Sequence, residues 1–321
     1  GTVRRAAVTI VDSNYLSLAS VWASSMKANN PEWDVFITLL DPNEDGIQEG
    51  TPLEATLLTP TDLPMSGDRF HLMRLTYSVK ELATSVKPWV LSALLDRGYD
   101  AAVYMDPDIL VTGSLTPHLT SSVIGSGLLT PHVLEPLPND EMLLQYHHLR
   151  QSGAYNLGFI AVSQQSRSLL AWWADRCMLD AIDAPGEWLF TDQIWADFMP
   201  SLFDTTTWRH PGADVAYWNI HERFIERAGS EFIVNREYPL LFFHFSGFLG
   251  ASGDELTSHW GQTGRWDAVL GQTRQPALND LKAIYRDLIA SAQVNFPSSR
   301  FTSLDFVDDA TTLPASVRRS F

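Results

Sequence analysis

The sequence is poor in cysteine and in basic residues, and each shortage excludes a class of protein. Its one cysteine, Cys177, cannot form an intrachain disulfide, which fits a reducing compartment. The neighbours Trp172, Trp173 and Met178 predict a core residue there rather than a reactive thiol. The 22 lysines and arginines stand against 38 acidic residues, a net charge of −16 at pH 7. Because clustered basic residues supply most of the affinity for nucleic acid, we expect no nucleic-acid partner.

The sequence also lacks long apolar runs. None approaches the roughly 18 to 20 residues needed to cross a bilayer, and the N-terminus lacks the charged, apolar and small-residue succession of a signal peptide. We therefore expect a cytoplasmic protein without a transmembrane segment. With 321 residues, of which 45% are hydrophobic, the chain can bury a large core as one domain with an appendage or as two domains.

Short apolar, partly β-branched runs alternate with segments of helical periodicity. In the first half we predict strands at 6–11, 35–40, 55–58 and 101–105, with helices at 16–26 and 82–95. In the second half we predict strands at 158–162 and 240–245, with helices at 140–151, 166–179, 191–198 and 278–292. This alternation favours an α/β fold with a mixed, mainly parallel sheet flanked by helices. We assign 1–251 to the main domain and 252–321 to a C-terminal extension packed on it.

Polar side chains follow two of the predicted strands. Asp12 and Asn14 come after the first strand, and Asp106 and Asp108 come after the strand at 101–105. Open α/β sheets bind ligands outside the carboxyl ends of their strands. We therefore expect these four side chains to converge at one edge of the sheet.

The acidic pair predicts a metal site. Two carboxylates one residue apart, where a buried strand opens into a loop, can hold a hard divalent cation that also takes substrate phosphates. The alternative is a structural turn, since aspartate is common after strands. The apolar flanks of Asp106 and Asp108 favour the metal interpretation because unpaired charge at the rim of a core is costly.

A second candidate ligand lies far along the chain. His244 ends the apolar run at 240–245, and a neutral imidazole there could complete the coordination of the metal. Gly247 would let the backbone approach a diphosphate closely. Alone, a histidine between phenylalanines is more often a hydrogen-bonded core residue, but Asp106 and Asp108 favour the ligand interpretation.

Four stretches in this order resemble the GT-A fold glycosyltransferases, most closely the family 8-like enzymes that use nucleotide-sugar donors. They are the acidic motif within 104–111, Asn156 with Gly158, the Asp192-Gln193 pair, and His244 with Gly247. The likeness covers roughly residues 6 to 250 and implies a GT-A, Rossmann-like sheet. Two departures are Pro107 between the acidic residues and the missing lysine after the late His-x-x-Gly.

The resemblance also implies a set of site residues. It implies Asp106, Asp108 and His244 as ligands of Mn²⁺ or Mg²⁺, and Asp192, Gln193 and Asn156 as catalytic residues. The residues implied for binding the nucleotide sugar are Val11, Asp12, Asn14, Tyr15, Lys87, Asp106 and Gly247. The donor expected by default is a uridine diphosphate sugar, and the implied reaction retains the anomeric configuration.

Physical chemistry gives these residues compatible roles. A nucleotide-sugar leaving group departs with diphosphate charge, which a divalent cation and Lys87 would stabilise. Without a cation, Asp12, Asp106 and Asp108 would repel the phosphates of the donor. The alternative for Asp192 is a helix cap, because it opens an apolar stretch in the way that helices commonly begin. The two roles are compatible, and we favour a direct role of Asp192 in the site.

The segment 217–223 mixes polar and aromatic residues too densely for a simple core strand. Similar enzymes place acceptor-side residues in this region, and an indole face suits stacking on a sugar. Trp218, Asn219 and His221 are therefore candidates for acceptor binding. The alternative is a surface loop with one buried tryptophan.

The leading hypothesis is a metal-dependent glycosyltransferase that moves a sugar from a nucleotide diphosphate to a hydroxyl of a glycan, lipid or small molecule. An aspartate-nucleophile phosphohydrolase also carries a strand-end acidic pair. Its motif lies near the start of the domain and has threonine where this chain has Leu110. A degenerate transferase domain that binds nucleotide or glycan without catalysis is the remaining alternative.

Overall fold

The computed structural model describes residues 2–42, 53–137, 146–248, 256–259, 275–298 and 304. The strands are β1 Arg5–Val11, β2 Asp34–Leu39, β3 Thr56–Leu58, β4 Ala101–Met105, β5 Ile109–Val111, β6 Gly127–Pro131, β7 Tyr155–Ser163, β8 Asp183–Ala184, β9 Leu189–Phe190, β10 Thr205–Thr207, β11 Val215–Ala216, β12 Ile225–Ala228, β13 Glu231–Val234, β14 Tyr238–Pro239 and β15 Phe242–His244. The α-helices are α1 Leu16–Asn29, α2 Gly67–Thr76, α3 Val79–Ser85, α4 Lys87–Asp96, α5 Ser121–Ile124, α6 Tyr146–Ser152, α7 Arg167–Cys177, α8 Met199–Leu202 and α9 Pro276–Asn295. Short 3₁₀ helices lie at Ser13–Tyr15, Pro60–Asp62, Gln164–Ser166, Pro185–Glu187 and Gln193–Phe198.

A seven-stranded sheet in the order β10-β6-β7-β4-β1-β2-β3 forms the centre of the molecule. Four of its neighbouring pairs are parallel, and only β7 runs antiparallel to its two neighbours. The predicted α/β class, with a mainly parallel sheet flanked by helices, is therefore confirmed. A smaller sheet in the order β11-β15-β5 adjoins the carboxyl end of β4, because β5 follows β4 after a three-residue turn.

The central sheet is buried on both faces. Along β1, Ala6, Val8 and Ile10 join one apolar cluster, whereas Ala7 and Val11 join the other. This alternation is the two-residue period of a strand. Helices α4 and α7 cover the first face and α1 covers the second. Cys177 lies fully buried at the end of α7, as predicted.

A third cluster joins α9 to the small sheet. Leu278, Leu281 and Tyr285 of α9 are buried together with Phe243 and Phe245. The division proposed at residues 251 and 252 lies outside the described residues, so it stays a prediction. None of the described helices has the length and apolar character that crossing a bilayer requires.

Two predicted helices differ from the structure. The helix predicted over 82–95 is two helices, α3 and α4, that meet at Val86. Pro88 has no N–H to donate to the preceding turn and is tolerated only at the start of the second helix. The helix predicted over 191–198 is a 3₁₀ helix, Gln193–Phe198. The first part of the helix predicted over 140–151 lies outside the described residues, and α6 begins at Tyr146.

Candidate active site

A cavity of about 1250 Å³ opens where β1 and β4 end and β7 begins. Its wall includes most of the predicted site residues. Those on the wall are Val11, Asp12, Tyr15, Lys87, Asp106, Asp108, Asn156, Asp192, Gln193, Trp218 and His244. The wall does not include Asn14, Asn219, His221 or Gly247, although the structure describes all four.

Asp106, Asp108 and His244 form a compact cluster on this wall. The Nε2 atom of His244 lies 3.1 Å from Oδ1 of Asp108 and 3.5 Å from Oδ2 of Asp106. One ligand atom from each residue lies within 4.8 Å of the other two. Residues 138 positions apart in the sequence meet here because β15 pairs antiparallel with β5, which sets His244 opposite Ile109.

Backbone hydrogen bonds hold the turn that carries the two aspartates. The N–H of Asp106 donates to the carbonyl of Gly158 at 2.8 Å, and the N–H of Phe245 donates to the carbonyl of Asp108 at 2.9 Å. Pro107 lies between the two aspartates and has no N–H to satisfy. Pro107 therefore leaves no unpaired backbone donor in the turn.

The electrostatic field of the cluster favours a positive charge. Burial by itself lowers the pKa of His244, but Asp108, Asp214 and Asp106 outweigh it and raise the pKa well above its ordinary value. Burial opposes ionisation of Asp108, yet His244 beside it lowers the net pKa of that carboxyl. A field that holds a proton on the imidazole also suits a divalent cation held by two carboxylates and a neutral imidazole. The donor set thus fits a divalent cation.

Lys87 is a buried cation beside this cluster. Its Nζ atom lies 3.1 Å from Oδ2 of Asp192 and 3.9 Å from Oδ1 of Asp106, and it donates to the carbonyl of Leu157 at 2.8 Å. It also lies 4.4 Å from the ring centroid of Tyr104. Burial raises the pKa of Asp192 to about 6, and the ion pair with Lys87 opposes that rise. Lys87 therefore links the acidic motif to the predicted catalytic carboxylate.

Asn156 and Gln193 hydrogen-bond to each other on the same wall. The Oε1 atom of Gln193 accepts from Nδ2 of Asn156 at 3.2 Å and from the N–H of Leu157 at 3.1 Å. Its Nε2 atom donates to the carbonyl of Ser152 at 2.7 Å. The N–H of Gly158 donates to Oδ1 of Asn156 at 3.0 Å. These bonds fix both amides, and their catalytic roles stay predictions.

The residues after β1 form the side of the cavity proposed for the nucleotide. Asp12 is buried on the wall, whereas Tyr15 is half exposed there. Asn14 does not line the cavity, and it donates from Nδ2 to Oδ2 of Asp12 at 3.4 Å. Ser13 donates to Asp41 through both its backbone N–H and its hydroxyl, each at 2.7 Å, which fixes this loop.

Close packing explains why position 247 is a glycine, and Gly247 does not line the cavity. Its φ is +72°, and a Cβ atom there would lie 2.7 Å from Oγ1 of Thr257 and 2.8 Å from Cδ2 of His259. The glycine therefore allows residues 256–259 to pack against the turn after β15. Its role in binding the donor stays a prediction.

Two of the three predicted acceptor-binding residues do not line the cavity. Asn219 is fully buried, accepts from the N–H of Ala216 at 2.9 Å, and donates to the carbonyls of His132 and Asp214. In the described structure Asn219 thus organises its own loop. His221 does not line the cavity, and burial lowers its pKa. Trp218 does line it, although little of its side chain is exposed.

Several residues at the site were missed in the sequence. The hydroxyl of Tyr104 donates to Oδ1 of Asp106 at 2.6 Å, and its position two residues before Asp106 on a strand is a usable signal. Asp214 is fully buried, with Oδ1 3.4 Å from Nδ1 of His244. An acid between Ala213 and Val215 in an apolar run is its only signal. His132 gives no signal in the sequence, and in the structure it packs edge-on against Trp218.

Comparison with other sequences gives two relatives from Bacillus subtilis strain 168. The uncharacterized protein YfnF is 25% identical over 257 residues, which cover 77% of this chain and 83% of YfnF. The uncharacterized protein YfnD is 24% identical over 244 residues, which cover 70% of this chain and 75% of YfnD. No family model matches the sequence.

Comparison with solved structures gives glycosyltransferases at low similarity. An active-site mutant of LgtC is 16% identical with a TM-score of 0.45, and the match covers 83% of this chain and 96% of LgtC. Apo GlyE of Streptococcus pneumoniae TIGR4 is 12% identical with a TM-score of 0.46 over 93% of this chain. This chain spans 66% of the length of GlyE.

Proposed function

We propose that this chain is a metal-dependent glycosyltransferase that moves a sugar from a nucleotide diphosphate, by default uridine diphosphate, to a hydroxyl acceptor. One observation carries the proposal. The Asp106, Asp108 and His244 cluster and the buried ammonium of Lys87 share a single cavity wall. The cavity exceeds the roughly 300 to 1,000 Å³ of typical ligand pockets, which leaves room for a donor and an acceptor together.

In this proposal the cluster and Lys87 act on the diphosphate. Asp106, Asp108 and His244 would hold Mn²⁺ or Mg²⁺, which supplies positive charge as the nucleoside diphosphate leaves. Lys87 adds a second positive charge, and Asp192 and the carbonyl of Leu157 hold it in place. A preorganised charge in a partly dehydrated cavity stabilises developing negative charge without reorganisation during the reaction.

The remaining wall residues would bind and orient the sugar. Asp192 borders the cavity and can accept hydrogen bonds from sugar hydroxyls while it holds Lys87. Asn156 and Gln193 fix each other and present a stiff polar surface on the same wall. Val11, Asp12 and Tyr15 line the part proposed for the nucleoside, and Trp218 lines the part proposed for the acceptor. We propose retention of the anomeric configuration, which the motif resemblance implies.

The test combines binding with turnover. The wild-type protein is incubated with a panel of nucleotide sugars and Mn²⁺, and release of nucleoside diphosphate is measured together with the melting temperature. We expect one donor to raise the melting temperature only with the metal, because binding to the folded state stabilises it. We also expect that donor to be hydrolysed slowly without an acceptor.

Variants of the acidic motif complete the test. Asp106→Asn and Asp108→Asn should each lower Mn²⁺ affinity and donor turnover by at least about 100-fold. Removing a residue that hydrogen-bonds a metal ligand typically lowers affinity by about 10- to 100-fold, and removing the ligand itself should cost more. Asp175→Asn, on the exposed surface of α7, is the matched control and should change neither. Donor binding without turnover in the wild type would favour the non-catalytic alternative, and full turnover in both motif variants would remove the cluster from the reaction.

A further inference from the structure

The imidazole of His244 has two nitrogens with different surroundings. Nε2 faces Asp106 and Asp108, whereas Nδ1 faces Asp214, whose Oδ1 atom lies 3.4 Å away. Asp214 is fully buried and stands outside the acidic motif. A carboxylate buried this deeply is expected to have a hydrogen-bonding or charged partner, because burying it unpaired costs several kcal/mol.

The structure holds Asp214 rigidly toward the imidazole. Its Oδ2 atom accepts from the hydroxyl of Thr130 at 2.8 Å, and its carbonyl accepts from Nδ2 of Asn219 at 2.9 Å. Its φ is +53°, in the left-handed region that aspartate tolerates better than most residues. The next two residues, Val215 and Ala216, form β11, which pairs with β15 and places Ala216 opposite His244.

The imidazole itself has little freedom. The ring of Trp218 lies edge-on at 5.1 Å between centroids, and the backbone of Gly158 lies so close to the imidazole that a Cβ atom there would not fit. Asn219 hydrogen-bonds the carbonyl of Asp214, so the segment 214–219 is held together and contributes both the carboxylate and Trp218 to the surroundings of His244. The orientation of His244 is therefore determined from several directions at once.

We infer that Asp214 is a positioning residue that accepts a hydrogen bond from Nδ1–H of His244 and so leaves the Nε2 lone pair free for the cation. A metal-bound histidine commonly donates its other N–H to a carboxylate, which fixes both the ring orientation and the tautomer. The hydroxyl of Thr130 in turn donates a hydrogen bond to the second oxygen of Asp214, Oδ2. The inference rests on the metal site of the proposed function but not on the transfer of a sugar.

Asp214→Asn should change the tautomer of His244 without changing the packing around residue 214. Asparagine has the same shape and tolerates the left-handed backbone, so the fold should be kept. Thr130 continues to donate to the amide oxygen, which turns the NH₂ group toward Nδ1 of His244. Nδ1 must then accept, the proton moves to Nε2, and Nε2 can no longer bind a cation.

The experiment measures Mn²⁺ affinity by calorimetry in the wild type, in Asp214→Asn and in Asp197→Asn as the control. The side chain of Asp197 accepts a hydrogen bond from the N–H of Ala154 at 2.8 Å, and Asp197 lies outside the cluster. We expect Asp214→Asn to weaken binding by about 10- to 100-fold and the control to leave it unchanged. Nitrogen NMR of the His244 ring with Mg²⁺ should show the proton on Nδ1 in the wild type and on Nε2 in Asp214→Asn.

The outcomes separate this inference from the proposed function. Equal Mn²⁺ affinity in the wild type and Asp214→Asn, or an unchanged tautomer, would overturn the role of Asp214 and leave the metal site standing. No binding of Mn²⁺ by the wild type would overturn the metal site and this inference together. If Asp214→Asn were unfolded, Thr130→Val would replace it, with weaker Mn²⁺ binding expected and wild-type affinity contradicting the role.

Discussion

At the scale of single residues, Gly158 decides whether His244 can reach the acidic motif. A Cβ atom at this position would lie 2.8 Å from Nδ1 of His244 and 2.6 Å from Oδ1 of Asn156. Real Cβ contacts are not this short, so an alanine must displace the imidazole or the amide. The glycine is therefore required by close packing and not by an unusual backbone conformation.

We expect Gly158→Ala to destabilise the protein by about 1 to 3 kcal/mol, the usual cost of overpacking a buried site, and to weaken Mn²⁺ binding. Gly186→Ala is the control, because nothing lies within 4 Å of its added methyl group. Urea unfolding and Mn²⁺ titration measure the two effects. Unchanged stability and affinity in Gly158→Ala would contradict the close packing of this position against His244.

The site residues divide into those that the sequence could predict and those that it could not. Asp106, Asp108 and His244 end apolar strands, and the structure brings the three together at a strand-end cavity. Asp214 and His132 approach them from loops whose paths depend on how distant strands pair. A loop of this kind has no periodic pattern, so its contacts could not be predicted from the sequence.

At the scale of elements, α9 supports the strand that carries His244. Tyr285 stacks on Phe245 at 4.0 Å between ring centroids, and Leu278 and Leu281 are fully buried in the same cluster. Phe245 directly follows His244. The helix is therefore part of the structure that holds the end of β15.

We expect Leu281→Ala to destabilise the protein by about 2 to 5 kcal/mol, because it leaves a cavity against the small sheet. Ile284→Ala is the matched control on the partly exposed side of α9, and its cost should be much smaller. Denaturant unfolding of both variants checks the difference. Equal costs for the two substitutions would mean that α9 does not pack on the sheet as described.

Elements with a clear period were predicted well, and irregular ones were not. β1, β2 and β4 are mostly apolar, and each is found within a residue of its predicted bounds. The meander β12, β13 and β14 was not predicted, because its strands are only two to four residues long and β12 and β13 carry charged residues. Such strands are defined by their neighbours in space rather than by their own composition.

At the scale of the whole molecule, burial keeps many histidines neutral. It lowers the pKa values of His118, His132, His210, His221 and His259. His244 is the exception among the described histidines whose pKa is shifted, since three carboxylates surround it. A protein that holds neutral histidines in its folded state loses stability when acid protonates them in the unfolded state.

His132 gives the sharpest test of this acid sensitivity. Burial lowers its pKa from 6.5 to about 4, and only 4% of the residue is exposed. Between these two values the unfolded chain binds a proton that the folded protein does not bind. The contribution of His132 to the free energy of unfolding should therefore be fully present above pH 6.5. It should be lost as the pH drops toward 4, which lowers that free energy by at most about 3 kcal/mol.

His132→Gln removes this titration and should flatten the decline by a comparable amount. Asp192 acts in the opposite direction, because its pKa of about 6 lies above its ordinary 3.8 and the folded protein binds that proton more readily. The difference between variant and wild type, rather than either curve alone, thus isolates His132. Urea unfolding across pH 6.5 to 4 measures it, and parallel curves for the two proteins would show that His132 is protonated as easily in the folded state as in the unfolded chain.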